Sequence, residues 1–517
     1  MVALISAIIS GILSFAAFPS YDLSFLIWFG MVPLLICLTQ SRSVQGFFLS
    51  LLAGMVFFIG IFNWILIIPE YTYLHHTLLA LYLGSYFGFF GFIVSLVSRR
   101  RGSTAGLIIS PFIWISMEYF RSNFFFLALP WGLLAHSQYQ NPMLIQAASF
   151  IGAYGVSFLI VLVNAAIAAL CYTLYKGQST VAAKTSNRGI VVFVGTTAVI
   201  FIIILIYGYV VTSKTIVGNK LRISVVQGNI EQSKKWDPKY ASMIMETYTE
   251  LTQRVSKEKP DLIVWPETAT PRAINSDPRL MKQVKQLVMS ANTPLLLGSS
   301  NLSKYKPKDP KSAKYSNSAY LIPPVSGKRK FQRYDKILLF PFGEYLPMKK
   351  KLPWSFINIP DIKGFLPGKK FRILNLDDSR FAVTICWENI FPQIVRQFVK
   401  NRAQFIINIT NEAWFGETAA PYQFLSMSIF RAVENGLYVI RCANTGISSF
   451  IDPCGRVIDR VKGEDGKDTF VKGFLTDEIV PLESNTIYTR YGDWFVWFCM
   501  IAAAIFILFA FVKPKVS

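Results

Sequence analysis

Seven apolar stretches follow one another in the first 212 residues, a region with only 11 charged side chains. They cover roughly 1–18, 24–39, 46–68, 76–97, 104–120, 148–174 and 189–211, and an eighth covers about 493–512. Most approach the ~20 residues that a helix needs to cross a bilayer. One short apolar run is readily a buried core helix. Eight of them, seven in succession, predict an α-helical membrane bundle of eight spans. The stretches 1–18 and 24–39 are short, with soft boundaries. Residues 1–9 lack a basic start and Ser14-Phe15-Ala16 fits a cleavage site loosely, so the first stretch reads as a span rather than a cleaved signal.

Charge returns after residue 212. Residues 214–492 carry 42 Lys/Arg and 26 Asp/Glu, the composition of a domain in water. The expected organisation is therefore 1–212 as a seven-span bundle, 213–492 as a water-exposed domain, and 493–517 as the eighth span with a short tail. Alternate loops hold Arg42, then Arg99, Arg100 and Arg101, then Lys176, Lys184 and Arg188, then Lys513 and Lys515. The opposite short loops hold only Arg121. By the positive-inside rule both termini are expected to be cytoplasmic, with 213–492 across the inner (plasma) membrane, periplasmic in a Gram-negative envelope. The net charge of +22 brings no nucleic-acid recognition motif with it. A basic surface beside anionic lipid is the simpler use, and Lys349, Lys350 and Lys351 before Trp354 and Phe356 read either as such a patch or as a solvated loop.

Six cysteines are present. Cys37, Cys171 and Cys499 fall in spans and read as packing residues. Cys386, Cys442 and Cys454 fall in the water-exposed domain, where a Cys442–Cys454 bridge is open. No Cys-x-x-Cys occurs and all three histidines lie in the membrane half, so a zinc site is not expected in that domain.

Within 213–492, β-rich runs at 221–230, 262–264, 294–298, 381–385, 405–409 and 438–443 alternate with helical patterns at 237–257, 279–292, 390–399 and 423–435. Hairpins are expected at 317–322 with 330–334 and at 448–452 with 456–458. A long loop rich in Pro and Gly fills 340–368. This order predicts an α/β layered domain with buried sheets.

Three polar residues each sit just past a strand, where functional groups of α/β folds collect. Glu267 follows Leu-Ile-Val-Trp-Pro, Cys386 follows Phe-Ala-Val-Thr-Ile, and Lys336 follows Arg-Tyr-Asp. Alone, each has an ordinary reading as a buried thiol, a paired carboxylate or a surface lysine. Together they are chemically complete for acyl transfer. A thiol with a pKa near ~8.5 is mostly protonated at neutral pH and needs a base. With no histidine in this domain, a carboxylate can serve. A neighbouring ammonium favours thiolate and oxyanion.

The motifs around these residues resemble the nitrilase superfamily. Leu262-Ile-Val-Trp-Pro-Glu267 is similar to its glutamate motif, Tyr334-Asp-Lys-Ile-Leu-Leu-Phe-Pro-Phe-Gly-Glu344-Tyr-Leu-Pro347 to its lysine motif, and Ile385-Cys-Trp-Glu388 to its nucleophile motif. Over its whole length the chain further resembles the superfamily's membrane-bound branch, the apolipoprotein N-acyltransferases. In the spans this rests on Phe18-Pro19, Pro130-Trp131-Gly132, Ser137-Gln138 and Gly152-Ala-Tyr-Gly-Val-Ser-Phe158. Beyond them it rests on Val226-Gln-Gly-Asn229, Thr410-Asn-Glu-Ala-Trp-Phe-Gly416 and Arg431-Ala-Val-Glu-Asn435. Glu412 stands where the family has Asp, and Gln423-Phe424 where it has Gln-His.

The resemblance implies an αββα sandwich beside eight spans and a ping-pong exchange without cofactor or metal. Glu267 takes the Cys386 proton. The thiolate attacks the sn-1 ester of a phospholipid, typically phosphatidylethanolamine. The resulting thioester passes its acyl chain to the α-amino group of an S-diacylglyceryl-cysteine on an apolipoprotein. Lys336 and the Trp387 backbone N–H hold the oxyanion. Glu344 either orients Lys336 or stabilises a turn. Glu388 either contacts the amine, orders the site or makes a surface ion pair. Asn411 and Trp414 line the pocket, with Trp414 alternatively in the core, and the 340–368 loop is a candidate lid through Trp354, Phe356 and Phe365. Glu118, late in a span, is expected to face the bundle interior and find a partner. Two other readings are a tethered amidase acting on small amides and a transporter with an inactive outer domain. Glu118 as the lone charge well inside a span argues against the transporter.

Overall fold

The computed structural model describes residues 1–19, 21–176, 181–306, 309–324, 331–349, 351 and 364–512. The chain forms two compact units, Met1–Lys214 with Tyr491–Ser517, and Thr215–Arg490.

The first unit is helical. Among the described residues five helices are long and apolar enough to cross a membrane: Ser43–Ile61, Tyr73–Arg101, Ala148–Leu174, Arg188–Thr212 and Trp494–Phe511. Three expected spans take other forms. Val2–Ala16 is a shorter apolar helix. The 24–39 stretch breaks into Ile27–Gly30 and Val32–Gln40, and the Asn164 side chain bridges the break by accepting from Met31 N (2.9 Å) and donating to the Ile27 carbonyl (2.8 Å). Ser103–Asn123 is 21 residues long but carries Glu118 and Arg121. Small residues let two helices approach closely: a Cβ at Gly54 would lie 2.9 Å from Gly84 Cα.

After Asn123 the chain leaves the helix, and residues 130–139 are buried. Buried backbone outside a regular helix must have its polar groups satisfied by protein. Arg121 does this, donating to the carbonyls of Leu129 (2.8 Å), Trp131 (2.6 Å) and Gly132 (3.4 Å), while Glu118 accepts from Leu134 N (3.0 Å). The partner expected for Glu118 is thus the main-chain N–H of Leu134, with the Arg121 charge acting on it from nearby.

Among the described residues the second unit holds twelve strands: β1 (Leu221–Gln227), β2 (Leu262–Val264), β3 (Leu295–Lys306), β4 (Asp309–Ile322), β5 (Gln332–Asp335), β6 (Ile373–Leu376), β7 (Ser379–Ile385), β8 (Phe405–Thr410), β9 (Val439–Ala443), β10 (Ser449–Ile451), β11 (Val457–Arg460) and β12 (Gly473–Ile479). They form two six-stranded sheets, ordered β12-β1-β2-β3-β4-β5 and β11-β10-β9-β8-β7-β6. In each sheet the middle strands, β1-β2-β3 and β7-β8-β9, are parallel and the flanks antiparallel.

Alternation along the strands explains the layering. Ile223, Val225, Leu262, Val264 and Leu296 join Phe381, Val383, Ile407 and Ile409 in a core between the sheets. Their neighbours Val226, Ile263, Trp265, Leu295 and Leu297 face the helices Ala241–Ser256 and Pro278–Ala291. Helices Pro392–Lys400 and Ala420–Asn435 pack on β7 and β9 of the second sheet. The result is the expected αββα sandwich.

Candidate active site

Parallel strands deliver their C-terminal ends to one edge of a sheet, so the residues just past β1, β2, β7, β8 and β9 are brought together. β5 runs antiparallel to β4, which runs antiparallel to β3, so the end of β5 reaches the same edge. Cross-connections show that the two edges meet. Asn229, past β1, donates through its backbone N–H to the Asn444 carbonyl past β9 (2.9 Å), and Asn411 N, past β8, donates to Glu267 Oε2, past β2 (2.9 Å).

Glu267 is buried. Its Oε1 accepts from Asn317 Nδ2 (2.7 Å) and lies 3.7 Å from Lys336 Nζ. Lys336, directly after β5, is 1% exposed. Its backbone is held on both sides, donating to the Asn317 carbonyl (2.8 Å) and accepting from Gly368 N (2.7 Å). Its ammonium donates to Glu344 (2.9 Å). Burial works against the Lys336 charge, but Glu344, Cys386 and Glu267 outweigh it and hold its pKa well above that of an ordinary lysine. Glu344 also accepts from Phe340 N (2.8 Å) and Asn317 Nδ2 (3.0 Å), so it both orients the lysine and closes the following turn.

Cys386 begins the short turn after β7 with φ 54°, a left-handed conformation rare for a side chain with a Cβ. Holding it there costs on the order of 1–2 kcal/mol, and strain of this kind collects at reactive elbows. Asn408 Nδ2 fixes the turn by donating to the Cys386 carbonyl (3.1 Å). The residue keeps partial access to solvent. Its surroundings are nonetheless desolvated. They push the thiol pKa well above its usual range, helped by the Glu267 charge and opposed by Lys336. The resting group is therefore the thiol.

Glu388 is fully buried, away from any surface ion pair. It accepts from Tyr334 OH (2.7 Å), Ile337 N (2.7 Å), Leu338 N (3.1 Å) and Ile385 N (2.8 Å), tying the lysine segment to the nucleophile strand. Burial raises its pKa against these bonds. Trp387 reinforces the tie through Nε1 to the Leu338 carbonyl (2.8 Å). Asn411 Nδ2 donates to Gln232 Oε1 (2.8 Å), and its Oδ1 accepts from Asn444 Nδ2 (2.9 Å). Trp414 is 51% exposed and so does not belong to the core.

Glu412 is buried and paired with Arg441. A Cβ at position 446 would lie 1.9 Å from its carboxylate, so Gly446 makes room for it. Gln423 and Phe424 are buried in the helix Ala420–Asn435. Cys442 and Cys454 are both free thiols, and Cys442 is directed at the Val226 and Val264 carbonyls. Trp354, Phe356 and the rest of residues 352–363 in the 340–368 loop lie outside the described residues, as do Lys350, Lys513 and Lys515.

Four residues of the network carry no local signal. Asn317 bridges Glu267 and Glu344, Gln232 and Asn444 brace Asn411, and Lys235 donates to the Glu267 carbonyl (2.9 Å). The one hint was position: Gln232 and Lys235 follow closely on the Val-Gln-Gly-Asn run that ends at Asn229.

Known proteins resemble the chain over nearly its whole length. Residues 10–166 match the family described as the apolipoprotein N-acyltransferase N-terminal domain, and residues 222–473 match carbon-nitrogen hydrolase. An apolipoprotein N-acyltransferase of Geobacter metallireducens is 34% identical over 518 residues, spanning 99% of this chain and 95% of the relative. One of Chlorobaculum tepidum is 30% identical over 543 residues, spanning 99% and 96%. Among solved structures, Saccharomyces cerevisiae Nit3, of the nitrilase superfamily, is similar at TM-score 0.38 and 18% identity, covering 52% of this chain and 93% of that one. The chain is a membrane protein and an enzyme of the nitrilase superfamily, and it belongs to the apolipoprotein N-acyltransferase family.

Proposed function

We propose that this enzyme N-acylates the S-diacylglyceryl-cysteine at the N-terminus of apolipoproteins, taking the acyl chain from a phospholipid, phosphatidylethanolamine first among them. The observation that carries the reading is the buried Glu267–Lys336–Glu344 cluster around a thiol held at positive φ. That cluster lies on a chain with membrane-length apolar helices.

Cys386 rests as a thiol, so the reaction begins with proton transfer from sulfur to Glu267. The thiolate adds to the sn-1 carbonyl. Lys336 and the Trp387 backbone N–H stabilise the oxyanion, one such donor being worth ~3–4 kcal/mol in the barrier. Collapse expels the lysophospholipid alkoxide, which takes the proton from Glu267, and leaves a thioester. The free α-amine of the acceptor then adds to the thioester and gives up a proton to Glu267. The thiolate leaves and regains that proton, and an amide remains.

Apolar side chains on neighbouring loops support a lipid donor: Trp236, Phe340 and Trp414 all stay exposed. Keeping the acyl chain near its own leaflet avoids about ~0.8 kcal/mol for each CH₂ drawn into water. The arrangement that fits is eight membrane crossings with both termini cytoplasmic and residues 213–492 periplasmic, supported by Arg42, Arg99, Arg100 and Arg101 on one set of loops.

Intact mass spectrometry after incubation with phosphatidylethanolamine tests the proposal. Wild type is expected to gain a hydroxylamine-labile, acyl-sized mass that a diacylated lipopeptide discharges, and Cys386→Ala to gain none. An unmodified wild type that still hydrolyses small amides would replace this reading with a tethered amidase.

A further inference from the structure

A second buried ammonium stands beside the triad. Lys235 is 3% exposed and its Nζ has one hydrogen-bond partner among the described residues, the Glu267 carbonyl at 2.9 Å. The Glu267 carboxylate faces it at rest, and the Cys386 sulfur adds its charge once it becomes a thiolate. A neutral donor could hold one carbonyl just as well, without the several kcal/mol needed to desolvate a cation. A buried ammonium is retained where a neighbouring charge answers it.

The loop that presents Lys235 is anchored to the same frame as Glu267. Ile230 N donates to Asn444 Oδ1 (2.9 Å), and Gln232 accepts from Asn411, whose own N–H holds Glu267 Oε2. The local charges give Lys235 a purpose. Glu267 and Glu344 outnumber Lys336 by one negative charge, and the reaction shifts that charge without removing it, from Glu267 to sulfur and then to the oxyanion. Glu388 is already taken up by its four donors.

We infer that Lys235 is a positioning residue of the acyl-transfer site, fixing the Glu267 main chain and offsetting the negative charge as it passes to Cys386 and the tetrahedral oxyanion. Burial, countered by Glu267 and Cys386, brings its pKa down to about 8, which leaves it charged at neutral pH. The inference rests on Cys386 being the nucleophile.

The test compares full-length wild type, Lys235→Met and Lys235→Arg in detergent at pH 7. Cys386 alkylation by iodoacetamide is followed by peptide mass spectrometry, and single-turnover thioester formation and melting temperature are measured alongside. Lys235→Met is expected to slow both reactions by roughly 10- to 100-fold, with Lys235→Arg recovering most of the loss and all three proteins folded. Wild-type rates in Lys235→Met, or a lowered melting temperature with rates per folded molecule unchanged, would overturn it. If Lys235→Met does not fold, Lys235→Gln carries the same comparison. A wild type that forms no thioester counts against the acyltransferase reading, and the alkylation rates then decide the case of Lys235 on their own.

Discussion

Both units of this chain bury an acid and a base close together, yet the two pairs are built differently. In the helical unit, Arg121 gives its N–H groups to three main-chain carbonyls, and Glu118 takes a main-chain N–H. In the α/β unit, the Lys336 ammonium faces the carboxylates of Glu344 and Glu267, beside a thiol at positive φ. A buried charge answered by backbone holds a loop in shape. A buried charge answered by other ionisable groups keeps protons and charge exchangeable. Burial alone does not mark an active site; a buried charge with ionisable partners beside a nucleophile does.

Matched substitutions put this contrast to work. Lys336→Met is expected to lower turnover per folded molecule by roughly 10²–10³-fold and also to destabilise the fold, because it leaves two carboxylates uncompensated. Arg121→Met is expected to lose about 3–5 kcal/mol of stability while turnover per folded molecule stays near wild type. Thermal melts and activity normalised to folded protein separate the two, and equal activity losses would erase the distinction drawn above.

A smaller effect is expected at Glu388. Its two oxygens accept four hydrogen bonds, so Glu388→Gln sets an amide N–H against a donor. The expected cost is about 1–3 kcal/mol of stability, together with a fall in kcat at nearly constant KM as the Lys336 segment loosens. An unchanged kcat would sever Glu388 from catalysis.

The smallest effect concerns pH. Lys235 has a folded-state pKa near 8 against an ordinary 10.5. The folded state therefore binds this proton more weakly than the unfolded chain, and stability rises as pH goes from about 8 to 10.5 and falls again on return. Lys235→Met should flatten that part of the melting-temperature profile relative to wild type. Parallel profiles would show that the ammonium is not held in a desolvated state.

The same contrast explains what could be read in advance. Glu267, Cys386 and Lys336 were legible because each ends a strand pattern, and strand ends converge in an α/β fold. Strands β1, β2, β7, β8 and β9 are apolar runs and declared themselves. β12 did not: Gly473–Ile479 is only half-buried along most of its length and mixes Thr, Asp and Glu with its apolar residues, the pattern of an edge. β6 is just four residues long and likewise gave no run to read. Asn317, Gln232, Asn444 and Lys235 act through partners distant in the chain, and no local periodicity encodes such contacts. In the helical unit hydropathy located the helices, but not the break at Met31 bridged by Asn164 or the loop that Arg121 supports. Both depend on side chains arriving from elsewhere in the bundle.

The pairing of β1 with β12, Leu221 opposite Ile479, has a consequence for biogenesis. The first strand to emerge receives its antiparallel neighbour only when the last one has been made. Until then one edge of the first sheet stays unpaired, open to wrong partners. Contacts this distant in sequence also form slowly. The α/β unit is therefore expected to mature after its synthesis is almost complete. A chain truncated before Gly473 would keep every residue of the triad and still carry a raw sheet edge, a substrate for proteolytic quality control rather than a partial enzyme.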